Sequence, residues 1–388
     1  MKKKILFVNG HLNPGGVERA LENILCNLDY SKYDVDLVLL EEIGAYRAEL
    51  PEQVNVRLVD LHNTYGSLPK VLLQCILKRD WLCLKMRLLF LLCKYIDNRM
   101  LKHAKSWLFK DKHYDVAIGF RPGVCTDLVA FAVASDKKLT WWHHGEYSLS
   151  EAEDRSYKQS CAKMDHVVAV SNGCAQFLKE QMSENADKIT VIPNIVPVEE
   201  IQCKAEMFAY PVDRSKKQIA SVGRLSLEKH MENCVFAAKQ LLLSGFDNFQ
   251  WTLVGDGPER NRLEMLVNDN ALQGYISIVG SQSNPYPYIK NADLFVHPSY
   301  VESQGLVVLE AMTLGVPCVV TKSLGPCEFM VDGVNGILTE QNPESLSKAV
   351  IQILKNEQLY RHIKGNTCCP TQFYPDDVME KIEKLLLN

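Results

Sequence analysis

Apolar residues in this chain come in short runs, and between the runs they recur at helical spacing. In the first half, KKILFVN, DVDLVLL, VNVRLVD, YDVAIGF, KKLTWWH, HVVAVSN and KITVIPN have the length and composition of buried strands. VERALENILCNL and GCAQFLKEQM lie between some of them with the spacing of amphipathic helices. In the second half the strand candidates are KQIASVG, FQWTLVG, ISIVG, ADLFVHP, VPCVVT and NGILT. The helical segments that follow them are MENCVFAAKQLLL, PERNRLEMLVND, LVVLEAMTLG and PESLSKAVIQILK. A strand followed by a helix, repeated, builds a parallel sheet covered on both faces.

Two such series in 388 residues, more than one hydrophobic core normally serves, predict two Rossmann-like α/β domains. We place the first at residues 1–195 and the second at 196–372. The join is expected between Pro193 and Lys217, where VIPNIVPVEE and AYPVDRSKK concentrate prolines and charges without periodicity. A last helix, within 373–388, follows a kink around Pro370 and is free to pack on either domain.

Composition narrows the class. Apolar content of 47% with 23% charged residues suits a soluble globular enzyme. Thirteen cysteines without CxxC or zinc-like spacing read as free thiols of a reducing cytosol. The opening MKKKILFVNG is apolar for only a few residues and reads as a first strand, not a signal peptide. No run reaches the ~18 apolar residues of a membrane span. The charge of −4 is uneven: residues 66–113 hold eleven Lys and Arg against three Asp, a net +8, leaving −12 elsewhere. Trp81, Leu82, Leu88, Phe90, Trp107 and Phe109 are interleaved with those cations. The segment is either a helical insert with solvated lysines or an element drawn to an anionic bilayer, and the confinement of basicity to one stretch favours the bilayer.

Ligands of doubly wound sheets sit beyond the carboxyl ends of the strands, so those ends carry the candidate chemistry. After the first strand, Gly15 and Gly16 lead into a helix, a turn open to a phosphate or a substrate. The first strand of the second half runs into GRLSLEKH, where Gly223 precedes two cations, Arg224 and Lys229, within reach of one diphosphate. Gly255-Asp256-Gly257-Pro258, Val279-Gly280-Ser281 and HPSYVESQG close the next three strands. In the last of these, Glu302 and Glu310 stand eight positions apart with Gly305 between them. Glu302 then belongs to the loop leaving the strand, and Glu310 to the helix that follows.

GRLSLEKH, GDGP and the glutamate pair of ESQGLVVLEAMTLGVPCVVT, with GGVER and VIPN, resemble the family 4 retaining glycosyltransferases of GT-B fold. The likeness runs through nearly the whole chain and is strongest over residues 219–340. It implies two Rossmann-like domains facing across a central cleft, with a nucleotide-sugar on the second. By position, Arg224 and Lys229 would grip the diphosphate, Glu310 the ribose hydroxyls, and Glu302 the hydroxyls of the transferred sugar. Backbone at Gly16, Gly223, Gly255, Gly257, Val279, Gly280, Ser303, Gln304, Gly305 and Leu306 would complete the donor site. Where the family often has Glu-Gly-Phe-Gly, this chain has Glu302-Ser303-Gln304-Gly305, which leaves the donor sugar open.

In the first domain, LTWWHHGEYS ends a strand with His143 and His144. The resemblance places one histidine near the reacting carbon, and strand alternation lets only one of the two face the cleft, with His143 the preferred choice. Gly15 and Ser171 are expected on the acceptor side, Ser171 alternatively as a helix cap. Asp34-Val35-Asp36 looks like a metal-binding Asp-x-Asp but opens a strand, and neither metal nor cofactor is expected. The expected partners are a nucleotide-sugar, a lipid-linked or glycan acceptor and an anionic membrane surface, with no nucleic acid. The rival readings are a GT-B sugar-nucleotide epimerase and a non-catalytic nucleotide-sugar-binding protein.

Overall fold

The computed structural model describes residues 2–13, 15–41, 44–59, 68–95, 97–110, 112–144, 150–208 and 212–387. The chain divides into two units, one formed by Met1–Ile195 with Val378–Asn388, the other by Val196–Asp377.

The first unit is built on parallel strands β1 (Lys3–Asn9), β2 (Tyr33–Leu39), β3 (Val54–Leu58), β4 (His113–Gly119), β5 (Ala134–Trp142), β6 (His166–Ala169) and β7 (Ile189–Val191). Their order across the sheet is β3-β2-β1-β4-β5-β6-β7. The direction of winding therefore reverses between β1 and β4, whose register runs from Ile5 opposite Val116 to Val8 opposite Gly119. β1 is buried from Ile5 to Asn9, as a central strand covered on both faces must be. Helices α1 (Gly16–Asn27), α2 (Leu68–Leu77), α3 (Trp81–Tyr95), α4 (Val124–Ala132), α5 (Glu151–Cys161) and α6 (Asn172–Gln181) belong to this unit.

Helix α7 (Val198–Ala205) lies in the segment expected to be an aperiodic join. Glu199 and Glu200 occupy its first turn, where they complement the helix dipole, and Ile201 and Ala205 are buried, so a short helix forms despite the neighbouring prolines. The second unit then carries β8 (Lys217–Val222), β9 (Phe249–Val254), β10 (Ile276–Ile278), β11 (Leu294–His297), β12 (Cys318–Thr321) and β13 (Ile337–Thr339) in the order β10-β9-β8-β11-β12-β13, all parallel. Helices α8 (Glu232–Leu243), α9 (Arg260–Asp269), α10 (Tyr286–Lys290), α11 (Leu306–Thr313), α12 (Pro343–Lys355) and α13 (Glu357–Asn366) cover it. Here the winding reverses between β8 and β11. The Ser221 hydroxyl bonds the Val296 carbonyl across that seam at 2.6 Å and accepts from the Trp251 indole at 3.0 Å.

The last helix, α14 (Pro375–Leu387), contributes Val378, Met379, Ile382, Leu385 and Leu386 to the core of the first unit. Lys3 donates to the Leu386 carbonyl at 3.2 Å and Lys137 to that of Leu385 at 2.6 Å, so lysines of the sheet satisfy the open carbonyl end of the helix.

The basic segment folds as α2 and α3 followed by irregular helical turns over Asn98–Phe109. Val71, Cys75 and Cys83 pack together, and Met86 and Leu89 join the main core. The other face leaves Leu73, Ile76, Leu77, Trp81, Leu82, Leu88 and Leu92 exposed. Residues 60–67, where the segment begins, lie outside the described residues.

Candidate active site

The ends of β8 and β11 are neighbours at the reversal point of the second sheet, and each delivers one half of an ionic cluster. After β8 the chain runs through Gly223 and Arg224, makes a tight turn over Leu227–Lys229, and leaves through His230 in the left-handed region (φ 45°). Two contacts pin that turn to the loop after β11. The Glu228 carbonyl accepts from the Tyr300 amide at 3.2 Å, and the His230 ring stacks on Tyr300 at 3.5 Å between centroids. Lys229 is thereby carried to Glu302, and its ammonium bonds Glu302 Oε1.

The same oxygen lies 2.6 Å from His297 Nε2 at the tip of β11. The Glu302 side chain is 11% exposed, that of Lys229 23%, and that of His297 1%. Burial alone would push the Glu302 carboxyl upward. The Lys229 charge and the His297 bond outweigh it and hold the group well below the usual carboxylate range. Arg224, earlier on the same loop, is exposed and forms no ion pair among the described residues.

Glu302 stands on the loop and Glu310 on the second turn of α11, as the spacing predicts. Gly305 precedes the helix with φ 81° and ψ 50°, a left-handed conformation that favours glycine. Glu310 is not part of the Lys229 cluster; its Oε1 accepts from the Tyr286 hydroxyl at 3.3 Å. Gln304 is 2% exposed, and Ser303 and Leu306 are half-buried.

The remaining glycine turns stack on one another. A Cβ at Gly255 would sit 1.9 Å from the Gly223 carbonyl oxygen, and one at Gly257 would sit 2.3 Å from that of Leu225. The Gly255 amide bonds the Gly280 carbonyl at 2.9 Å, and the Val279 amide bonds that of Leu253 at 3.0 Å. Folding alone therefore requires Gly255 and Gly257, whatever else their backbone contacts. Two supports of the cluster carry little signal in the sequence. His297 was visible only as a polar residue ending an apolar strand. Gly325 lies against the Gln304 backbone, where a Cβ would come within 2.4 Å, and its amide bonds the Glu302 carbonyl at 3.0 Å.

In the first unit, Gly15 and Gly16 open α1, and Glu18 on its first turn is buried beside Arg121, Oε1 to Nη2 3.3 Å. His143 is buried against the Phe120 ring, 4.8 Å between centroids. Burial pushes its imidazole down to about 3, helped by His144 and Arg121, so the ring is neutral at pH 7. His144 is exposed, and residues 145–149 lie outside the described residues. Ser171 accepts from the Cys174 amide at 3.1 Å, which makes it the cap of α6. Asp36 of the Asp-x-Asp accepts from Tyr114 and Asn55, both at 2.7 Å, and from Lys112 at 3.0 Å, so its carboxylate is taken up inside the fold. No cluster of three or more metal-ligating side chains occurs among the described residues.

Two family models match most of the chain: Glycosyltransferase Family 4 over residues 14–200 and Glycosyl transferases group 1 over residues 204–367. The chain belongs to these glycosyltransferases. Its two Rossmann-like units are those of the GT-B fold. The crystal structure of Anabaena HepE in complex with UDP-glucose matches with a TM-score of 0.73 and 19% identity, covering 99% of both chains. Among curated proteins, N-acetyl-alpha-D-glucosaminyl L-malate synthase of Bacillus anthracis is 28% identical over 228 residues, 57% of this glycosyltransferase and 59% of that protein. The lipopolysaccharide core biosynthesis glycosyltransferase LpsE of Rhizobium meliloti is 31% identical over 187 residues, 46% of this chain and 54% of its own. The chain thus spans little more than half the length of these two relatives.

Proposed function

We propose that this glycosyltransferase moves a hexose-type sugar from a UDP-sugar, with retention of configuration, to a lipid-linked glycan acceptor in surface polysaccharide assembly. The observation that carries the reading is the Lys229–Glu302–His297 cluster at the β8/β11 reversal, with Arg224 on the same loop. An elongated donor has polyols at its two ends and a diphosphate between them. Lys229 and Arg224 match the anionic middle, and Glu302 and Glu310 match the hydroxyl-rich ends. The complex of HepE with UDP-glucose supports the choice of nucleotide. LpsE, by its name a lipopolysaccharide core enzyme, supports the choice of pathway class.

In the mechanism we favour, cleavage of the anomeric bond runs ahead of attack. The positive charge developing at the anomeric carbon is balanced by the leaving diphosphate, itself held by Arg224, Lys229 and the amides from Gln304 to Leu306. The leaving phosphate takes the acceptor proton on the same face, so no protein nucleophile is required. The two cations supply the charge that a divalent ion supplies in other transferases, and we propose a metal-independent reaction without cofactor.

The acceptor side of the proposal rests on α2 and α3. Seven exposed large apolar side chains lie there among exposed Lys78, Arg79 and Lys85, the pairing that an anionic bilayer attracts. No helix among the described residues is long and apolar enough to cross a membrane. We therefore place the protein in the cytoplasm, peripheral at the inner face of the plasma membrane.

A thermal-shift panel of UDP-, GDP- and ADP-sugars tests the donor assignment, since a ligand of the folded state raises its melting temperature. One UDP-sugar should stand out, and a panel without any response refutes the assignment. With the responding donor, Lys229→Ala should lower kcat about 100-fold, the scale of losing one transition-state charge partner. A rate within twofold of wild type would remove Lys229 from the phosphate role.

A further inference from the structure

A buried histidine at the tip of β11 has no reason of packing to be there. Its strand neighbours are Leu294, Phe295 and Val296, all fully buried, and an apolar residue would continue the series. His297 is 1% exposed, and its Nδ1 is buried without a hydrogen-bond partner, an arrangement that costs stability. Its Nε2 makes the one compensating contact, 2.6 Å to Glu302 Oε1. The tautomer with hydrogen on Nε2 fits both facts, since it donates to the carboxylate and leaves only an acceptor unmatched.

Lys229 and His297 both converge on Oε1, and no described side chain or amide bonds Oε2. The carboxylate is therefore divided, with one oxygen saturated by the protein and the other left for a ligand. The two donors are not equivalent. Lys229 is a flexible cation, and a diphosphate placed beside it competes with Glu302 for its ammonium. His297 has a rigid ring enclosed in the core and no competing acceptor.

We propose that His297 is a positioning residue for the donor sugar, keeping Glu302 aimed at a sugar hydroxyl while Lys229 turns to the phosphates. The inference rests on the donor reading above and extends it. It separates the sugar end of the site, set by His297 through Glu302, from the nucleotide end, which His297 does not touch.

The discriminating measurement is a ratio. Calorimetric Kd values for UDP and for UDP-glucose, UDP-galactose and UDP-N-acetylglucosamine are taken on the full chain, and the tightest-binding sugar is carried forward. His297→Leu should leave the Kd for UDP within twofold and raise the UDP-sugar to UDP Kd ratio about tenfold, the worth of one hydrogen bond to a charged group. His297→Gln, whose amide nitrogen reaches the place of Nε2, should restore the ratio to within about threefold. His297→Asn, which is too short, should behave like His297→Leu. A ratio unmoved in both His297→Leu and His297→Asn overturns the proposal, as does an equal loss of UDP itself.

A ligand-free arm separates this claim from the donor assignment. If wild type binds no member of the panel, the donor assignment falls, and unfolding constants of His297→Leu, Glu302→Gln and the double variant still decide whether the two residues act together. Non-additivity of about tenfold supports positioning, and additive effects refute it.

Discussion

Replacing Lys229 by Met removes the cation from a carboxylate that is nearly out of water. Glu302 is 11% exposed and Lys229 23%, so the pair behaves as a largely buried one and not as a surface ion pair worth a fraction of a kilocalorie. Breaking a buried pair from one side costs about 3–5 kcal/mol, because the remaining charge is stranded. Here His297 still donates to Glu302, which argues for the lower end, about 3 kcal/mol. Glu302→Gln should cost less, about 1–2 kcal/mol, since an amide oxygen still accepts from both partners. The double variant strands no charge, so its loss should be about 2 kcal/mol smaller than the sum of the single losses.

Calorimetric unfolding of the four proteins at pH 7 measures the cycle, following the transition of the second unit because two units need not melt together. For a unit of this size about 3 kcal/mol corresponds to roughly 6–12 °C. The pH dependence gives a second reading. Glu302 is held below the range of an unfolded glutamate, so its stabilisation is complete above about pH 4.3 and is lost as pH falls below that value. The deficit of Lys229→Met relative to wild type should therefore be full at pH 7 and shrink below about pH 4. A coupling under about 0.5 kcal/mol, or a deficit that does not change with acid, refutes the reasoning.

Three other outcomes are expected. Asp127, buried on α4 and bonded by Ser160 at 2.5 Å and Ser156 at 3.3 Å, is pushed up to about 6 by burial. The folded state thus binds its proton more tightly than the unfolded state, and stability falls between about pH 4 and 6; Asp127→Asn should abolish that slope and gain up to about 3 kcal/mol at pH 7 in urea titrations. Gly325→Ala places a methyl carbon within 2.4 Å of the Gln304 backbone and should cost about 2–4 kcal/mol while weakening donor binding, read by denaturation and calorimetry. Charge reversal at exposed Lys78, Arg79 and Lys85 should release the protein from phosphatidylglycerol vesicles in a sedimentation assay, with unchanged sedimentation counting against the bilayer surface.

All thirteen strands among the described residues lie in segments whose apolar runs predict them, because a parallel sheet covered on both faces demands near-continuous Val, Ile and Leu. Helices buried on most sides were harder to see. α4, VCTDLVAFA, has seven of its nine residues buried and so carries no polar stripe to set a period. α7 was hidden by its prolines. Among the candidate site residues, Arg224, Lys229, Glu302 and Glu310 stand out in the sequence because charged residues at strand ends have few structural reasons to be there. The joining of Lys229 to Glu302 was not legible, since it depends on β8 and β11 being neighbours although 71 residues lie between the end of β8 and the start of β11. That adjacency is a property of winding order, which local pattern does not encode.

Because α14 fills a face of the sheet that begins at Lys3, the first half of the protein is synthesised long before the piece that seals it. During translation, Ile5, Phe7 and Leu21 await Ile382 and Leu386 while the whole second unit is made and can fold by itself. A ribosome stalled just before Val378 would hold a nearly complete second unit tethered to an unsealed first one, and that greasy face is where a chaperone would be needed.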